Sequence, residues 1–323
     1  MTAVGRKLFP KDGTMILYGH RIADDEEGYL QGVAPSDLDG QLAYLARNYE
    51  IIALRELTTC LEEGRPVPRR SVVLTFDDGF RDNLDPGATI LARHHAPATV
   101  FVVTGSLTSG DLPWSQRLGV LFQQTAAREF CHELAGPKPF DLSSAALRHG
   151  AYLAVKERVR QMPREARECT LREISRALEV EPPRDRMLSW NEARELLSLG
   201  IDVGAHTYSH SLLALVPPEE ARWEIERCLY DLREQLGIEH PAFCFPAGSM
   251  TGALVDLVRE LGFRSVFQRS HGERVNSEKT VDPFSLRRLG LPNGPSVELE
   301  AELDGPFERL REATRWAKKG GRR

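Results

Sequence analysis

The chain reads as an α/β protein built on a largely parallel sheet, open or closed into a barrel. Short β-rich apolar runs alternate with stretches of helical periodicity along the sequence. Three of the apolar runs give way directly to turns carrying paired Asp, paired His or Pro–x–Gly, as strands feeding a functional edge do. Size agrees: 323 residues, 41% hydrophobic and 28% charged, suffice for a sizeable core in one large domain or two.

The elements follow in order. MILYGH (15–20) has strand composition and precedes an acidic loop, DDEEG. Ser36 is the expected cap of a helix through Tyr49, in which Leu38, Leu42, Leu45 and Ala46 recur at helical spacing. IIAL (51–54) reads as a strand and 57–63 as a short helix ended by Gly64 and Pro66. SVVLTF (71–76) is the clearest buried strand; a polar turn, DDGFRDN, and a helix to about His94 lead to the strand ATVFVV (98–103). Residues 111–188, rich in Arg, Glu and Ala and without a strand signal, read as a helical insertion within a single domain, 1–323.

Beyond it the rhythm returns. Ser189 with Glu192 forms a capping-box pattern for a helix to Leu199, which Gly200 closes. IDVGAH (201–206) is a strand. PPEEARWEIERCLYDLREQLG, with Pro first, Glu in the opening turn and Gly last, is a helix. A strand AFCFP (242–246), a helix over 253–261, the strands FRSVF (263–267) and SLRRLGL (285–291), and a helix over 303–318 with a basic tail complete the series.

Composition excludes several classes. With 42 Lys plus Arg against 47 Asp plus Glu, the net charge of −5 gives no reason to expect nucleic acid as a partner. The longest apolar runs fall far short of the roughly 20 residues of a membrane helix, though peripheral membrane contact through the tail stays open. No secretory signal is evident in the first twenty residues. The five Cys residues include no CxxC pair, so reduced thiols, each a small buried hydrophobe, and a cytoplasmic location are expected. Nothing in the sequence fixes an oligomeric state.

Three segments carry the chemistry. In Thr75-Phe76-Asp77-Asp78-Gly79 two carboxylates leave a buried strand, and adjacent residues on extended chain point opposite ways, so their tasks differ. In His206-Thr207-Tyr208-Ser209-His210 two imidazoles four positions apart can grip one cation, and a carboxylate from a neighbouring strand would complete a two-His, one-carboxylate set. Phe243-Cys244-Phe245-Pro246-Ala247-Gly248 ends a strand in a turn that can present backbone N–H groups to an anion.

TFDDG, H[ST]xxH and FxxPxG in this order resemble the polysaccharide deacetylases, carbohydrate esterase family 4, over most of the chain. ILYGHR near the start resembles the branch whose barrel is circularly permuted. The resemblance implies a distorted (β/α) barrel, here with the helical insertion at 111–188. It implies Asp78, His206 and His210 as ligands of a divalent metal, most often zinc, with cobalt, nickel or manganese as alternatives. It implies Asp77 as the general base acting on water, His20 as the general acid for the leaving amine, and the Ala247 N–H as oxyanion donor, with Thr207 steadying the histidine loop. The expected activity is removal of N-acetyl groups from an amino-sugar glycan, free or linked to lipid or nucleotide. An O-deacetylase or deformylase would use the same residues. A glycan-binding homologue without turnover is the rival from another class, and a non-haem iron oxygenase fits the strand–helix alternation poorly.

Two departures stand out. The Arg that many members carry two places before the motif's Pro is Cys244 here, and the aromatic after that Pro is Ala247. Arg81, Arg287 and Arg288 are the candidates to orient Asp77 instead. His271, in a polar loop, is a poor second choice as acid, and Trp114 is a candidate either for stacking on a sugar ring or for packing.

Overall fold

Seven parallel strands close on themselves in chain order: β1 (Thr14–Gly19), β2 (Ser71–Phe76), β3 (Ala98–Val102), β4 (Asp202–Ala205), β5 (Ala242–Cys244), β6 (Ser265–Arg269) and β7 (Leu286–Gly290). Each pairs with the next, and β7 returns to β1 in the register Ile16↔Arg288, while Ile16↔Val73 joins β1 to β2. The computed structural model describes residues 13–24, 32–269, 275–277 and 281–304. The acidic run 25–28, His271 and the tail 315–323 lie outside these.

Around the barrel are α1 (Pro35–Asn48), α2 (Leu54–Glu62), α3 (Gly87–Arg93), α4 (Thr104–Ser109), α5 (Trp114–Gln124), α6 (Ala145–Val159), α7 (Arg164–Leu178), α8 (Trp190–Ser198), α9 (Pro218–Leu236), α10 (Gly252–Glu260) and α11 (Ser296–Leu303). Among the described residues no helix is long and apolar enough to cross a membrane.

The two-residue period of the strands fills the interior in layers. Ile16, Val73, Phe101, Cys244, Phe267 and Leu286 form one buried cluster, with the Phe101 and Phe267 rings edge to face at 5.0 Å. Leu54, Leu57 and Cys60 of α2 join that cluster, so α2 caps one end of the barrel. Two residues towards the strand starts lie Thr14 and Ser71, whose hydroxyls bond at 2.7 Å. Two residues towards the strand ends come Thr75 and Arg288, at the edge where the motif loops emerge. The opposite faces of the strands pack under the helices in a second, larger core that includes Leu17, Leu74, Val100, Val203, Phe243 and Val266.

Several boundaries differ from the sequence reading. The first helix begins at Pro35 with Ala34 as its cap and no side-chain capping bond; Pro supplies the pre-set φ, and Ser36 lies inside the first turn. Of the expected 51–54 strand only Ile51 is in a strand, the short Glu50–Ile51, because α2 already starts at Leu54. The sixth barrel strand sits two residues later than FRSVF; the last described helix is α11, and the expected helix over 303–318 lies outside the described residues from 305 on. Within 111–188 a two-stranded antiparallel pair, Glu129–Phe130 with Phe140–Asp141, accompanies α5, α6 and α7, and the segment builds its own core around Leu118, Phe122, Phe130, Val155 and Ile174. The strands there are too short to register as alternation. Cys60, Cys228 and Cys244 are buried as expected, but Cys131 and Cys169 are exposed on this segment's surface.

Candidate metal centre and active site

The three motif loops leave β2, β4 and β5 at one edge of the barrel. After β2, the Asp77 N–H donates to the Gly19 carbonyl at 2.9 Å, tying this loop to the end of β1. Asp78 (φ 77°) and Gly79 (φ 81°) then turn through the left-handed region. A Cβ on Gly79 would meet Val102 Cγ1 at 3.0 Å, so glycine serves both the turn and the close packing on β3. After β4, Thr207 and His210 are left-handed, and after β5 so is Ala247. Four of the seven non-glycine residues with positive φ among the described residues therefore lie in these three loops. Each such residue costs about 1–3 kcal/mol that the surrounding structure must offset, a pattern concentrated at functional sites.

Asp78, His206 and His210 converge. Asp78 Oδ1 lies 3.4 Å from His206 Nε2 and 3.2 Å from His210 Nε2, and the Asp78 side chain is 1% exposed. One ligand atom from each residue falls within 4.8 Å of the others. Two observations show that this donor set fits a cation. His206 Nδ1 bonds the Cys244 carbonyl at 2.7 Å, a contact in which Nδ1 must be the donor, so Nε2 is the nitrogen presented towards Asp78. Asp78 Oδ1, fully buried, has no hydrogen-bond partner among the described residues. A second cluster of suitable atoms, Asp77 with His206 and Cys244, fits less well, because Arg288 already binds both Asp77 oxygens and the Cys244 sulfur. Burial pushes the Asp78 carboxyl up, but His210 and His206 outweigh it and hold the group well below the usual carboxylate range.

Asp77 sits beside this set in a buried ion pair. Arg288 Nη1 donates to Asp77 Oδ1 and Nη2 to Oδ2, each at 2.7 Å. The guanidinium is boxed in: Cys244 Sγ is 3.0 Å from Nη2, and the Tyr18 and Phe267 rings lie 4.6 and 5.1 Å from its carbon. Burial raises the Asp77 carboxyl and Arg288 more than compensates, so it is held below its ordinary value. Of the three arginines named from sequence, Arg288 alone pairs with Asp77; Arg81 pairs with Glu192 at 2.7 Å, and Arg287 donates towards the Val275 carbonyl.

His20 follows β1 as an exposed residue, its carbonyl held by Asn83 Nδ2 at 2.8 Å and its ring 5.9 Å from Tyr18. Ala247 is exposed in the turn Pro246–Gly248 after β5. Thr207 is fully buried, and its carbonyl accepts from Thr104 N at 3.2 Å, which docks the histidine loop on α4. A Cβ on Gly105 would lie 2.6 Å from the Tyr208 carbonyl, so α4 can approach this loop only with glycine there. Trp114 is 3% exposed, with Arg167 over its ring at 5.6 Å and its Nε1 donating to the His210 carbonyl at 2.9 Å. It is a packing residue and offers no platform for a sugar.

One contact had no signal in the sequence. Gln116, near the start of α5, donates from Nε2 to Asp78 Oδ2 at 2.6 Å. It lies 38 residues from Asp78, in the segment between β3 and β4, and belongs to no motif.

Comparisons with known proteins bear on the family and the fold. The family pattern described as polysaccharide deacetylase matches residues 64–266, well over half of the chain. The poly-β-1,6-N-acetyl-D-glucosamine N-deacetylase of Escherichia coli K12 is 22% identical over 301 residues, covering 90% of this chain. The chain spans 38% of the length of that relative. Among solved structures, a Streptococcus pyogenes deacetylase, PplD, in complex with acetate superposes with a TM-score of 0.59 at 17% identity, covering 92% of this chain and all of that one. IcaB from Ammonifex degensii gives 0.57 at 21% identity, with 90% and 97% covered. At these identities the two structures bear on the fold alone, and they share it. The chain belongs to the polysaccharide deacetylase family.

Proposed function

We propose that this chain is a metal-dependent hydrolase that removes N-acetyl groups from an N-acetylglucosamine glycan. One observation carries the reading: a buried carboxylate oxygen facing two imidazole Nε2 atoms, beside a second carboxylate gripped by a guanidinium. The name of the Escherichia coli relative makes β-1,6-linked poly-N-acetylglucosamine the first substrate to try. Within the 323 residues we read one catalytic domain, with 111–188 shaping what enters the cleft.

Asp78, His206 and His210 would hold a divalent cation, zinc before cobalt, nickel or manganese, which would supply Lewis acidity and acidify a bound water. Asp77 accepts the proton of the attacking water; Arg288 keeps its carboxylate ionised and fixes its plane while leaving lone pairs on both oxygens. The N–H of Ala247, turned by its left-handed backbone, donates to the oxyanion as the carbonyl becomes tetrahedral. His20, on the exposed side, gives the proton that lets the amine depart. O-deacetylation or deformylation would draw on the same groups, so O-acetylated and N-formylated glycans are the comparison substrates.

Acetate release from β-1,6-linked N-acetylglucosamine oligomers by zinc-loaded protein tests the reading. Release should fall by at least about 10²-fold in Asp77→Asn, the scale of a lost general base. No release under any divalent metal, or undiminished release by the Asn variant, would refute it.

A further inference from the structure

Asp78 has two oxygens, and they have different partners. Oδ1 faces the two imidazoles; Oδ2 accepts from Gln116 Nε2 at 2.6 Å. We infer that Gln116 is a positioning residue for the metal centre, which presents Asp78 to the cation through one oxygen only. This rests on the proposed function, because it concerns the same cation site.

The amide is itself oriented. Ser115 Oγ donates to Gln116 Oε1 at 2.7 Å, so the NH₂ end, and not the carbonyl end, is turned to the carboxylate. A flipped amide would set two acceptors against each other. The helix beneath is equally constrained. Arg117 Nη2 donates to both oxygens of Glu168 at 2.7 and 2.6 Å, joining α5 to α7, while Leu118, Leu121 and Phe122 are fully buried. Trp114, two residues before Gln116, donates to the carbonyl of His210. From α7, Arg167, fully buried, donates to Ser209 and Ser211 Oγ at 2.8 and 2.7 Å, and Glu224 of α9 accepts from Ser209 N and Ser211 Oγ. The segment 111–188 thus grips the histidine loop at His210, Ser209 and Ser211 and touches the carboxylate ligand through Gln116.

The chemical consequence is specific. With Oδ2 committed to Gln116, the carboxylate cannot rotate to offer both oxygens, and coordination positions stay open for water and the acetyl oxygen. Removing the donor frees the carboxylate, so ordering it is paid at the moment of binding and the coordination number can change. Partners of this kind are worth about 10- to 100-fold in metal affinity.

Gln116→Met keeps the volume and deletes the donor; Gln116→Glu keeps the shape and sets a carboxylate against Asp78. Zinc affinity is read by competition with a chromogenic chelator, and the visible spectrum of the cobalt-loaded protein reports coordination. Gln116→Met should bind zinc about 10- to 100-fold more weakly than the native chain, whereas Gln116→Glu adds an anion beside the cation and is read by the cobalt spectrum alone. The cobalt spectrum should shift in both variants, and since each leaves the buried Asp78 carboxylate worse satisfied, a somewhat lower metal-free melting temperature accompanies that shift. Native zinc affinity and an unchanged cobalt spectrum in Gln116→Met would overturn this inference while leaving the proposed function intact. Failure of the native chain itself to bind zinc would overturn both. Weaker binding that tracks a lowered metal-free melting temperature, with no spectral shift, would reduce Gln116 to a packing residue and overturn it as well.

Discussion

Arg288 is the residue on which the Asp77 carboxylate, the proposed general base, depends. It reaches Asp77 from β7, whereas the family motif places its Arg on the strand where this chain has Cys244. The two sites are adjacent in space, Arg288 Nη2 lying 3.0 Å from the Cys244 sulfur, so the same pocket receives a guanidinium from a different strand. The altered third motif was the main support for a homologue without turnover, and this arrangement removes that support. Arg288→Leu would strand a buried carboxylate and should cost about 3–5 kcal/mol of stability in urea unfolding. Acetate release should fall about a hundredfold, the scale of a misplaced catalytic group. Arg288→Lys, a point charge that cannot hold both oxygens, should fall between native and Leu in both measurements.

At the scale of elements, the loops carry the function and the helix ends hold the loops. The capping box of α8 is complete: the Ser189 hydroxyl accepts from Glu192 N, and the Glu192 carboxylate accepts from Ser189 N at 2.8 Å and from Arg81, four residues after Asp77, at 2.7 Å. Burial raises the Glu192 carboxyl, but Ser189 and Arg81 outweigh it and hold it below its usual value. A carboxyl lowered in the folded state stabilises fully above its unfolded value, near 4.3, and the gain is lost as pH falls through the folded value. Glu192→Gln keeps the cap geometry and removes the charge. It should cost less than about 1 kcal/mol at pH 7, Arg81 being exposed and solvent-screened, and in urea titrations that cost should vanish in acid, once the pH is below the folded value. Gly79→Ala asks a left-handed position to accept a side chain against Val102. It should destabilise by about 1–3 kcal/mol and disturb both aspartates.

At the scale of the molecule, what the sequence could reveal followed the range of the interactions. SVVLTF and ATVFVV are buried on both faces, so their apolar runs announced parallel strands, and the motif residues sit at strand ends where chain direction alone places them. The closure of the barrel between β7 and β1 involves residues some 270 apart in sequence, and no local pattern encodes it. For the same reason three arginines competed for Asp77 until the register Ile16↔Arg288 set one of them beside it. Gln116 was illegible because its role depends on how the 111–188 segment packs, and an isolated Gln between Ser115 and Arg117 carries no periodic or motif signal. Boundaries such as that at Leu54 were missed where a β-prone tetrapeptide is overridden by the packing of α2 against the end of the barrel.

The central claim is that Asp78, His206 and His210 form one divalent-cation site beside an Arg288-held Asp77. Zinc-edge anomalous diffraction from crystals of the zinc-loaded protein tests it most directly. The account predicts a single peak in contact with Asp78 Oδ1 and the Nε2 atoms of His206 and His210, with Asp77 still paired to Arg288. A peak on Asp77, His206 and Cys244, or no bound zinc in this cluster, would contradict it.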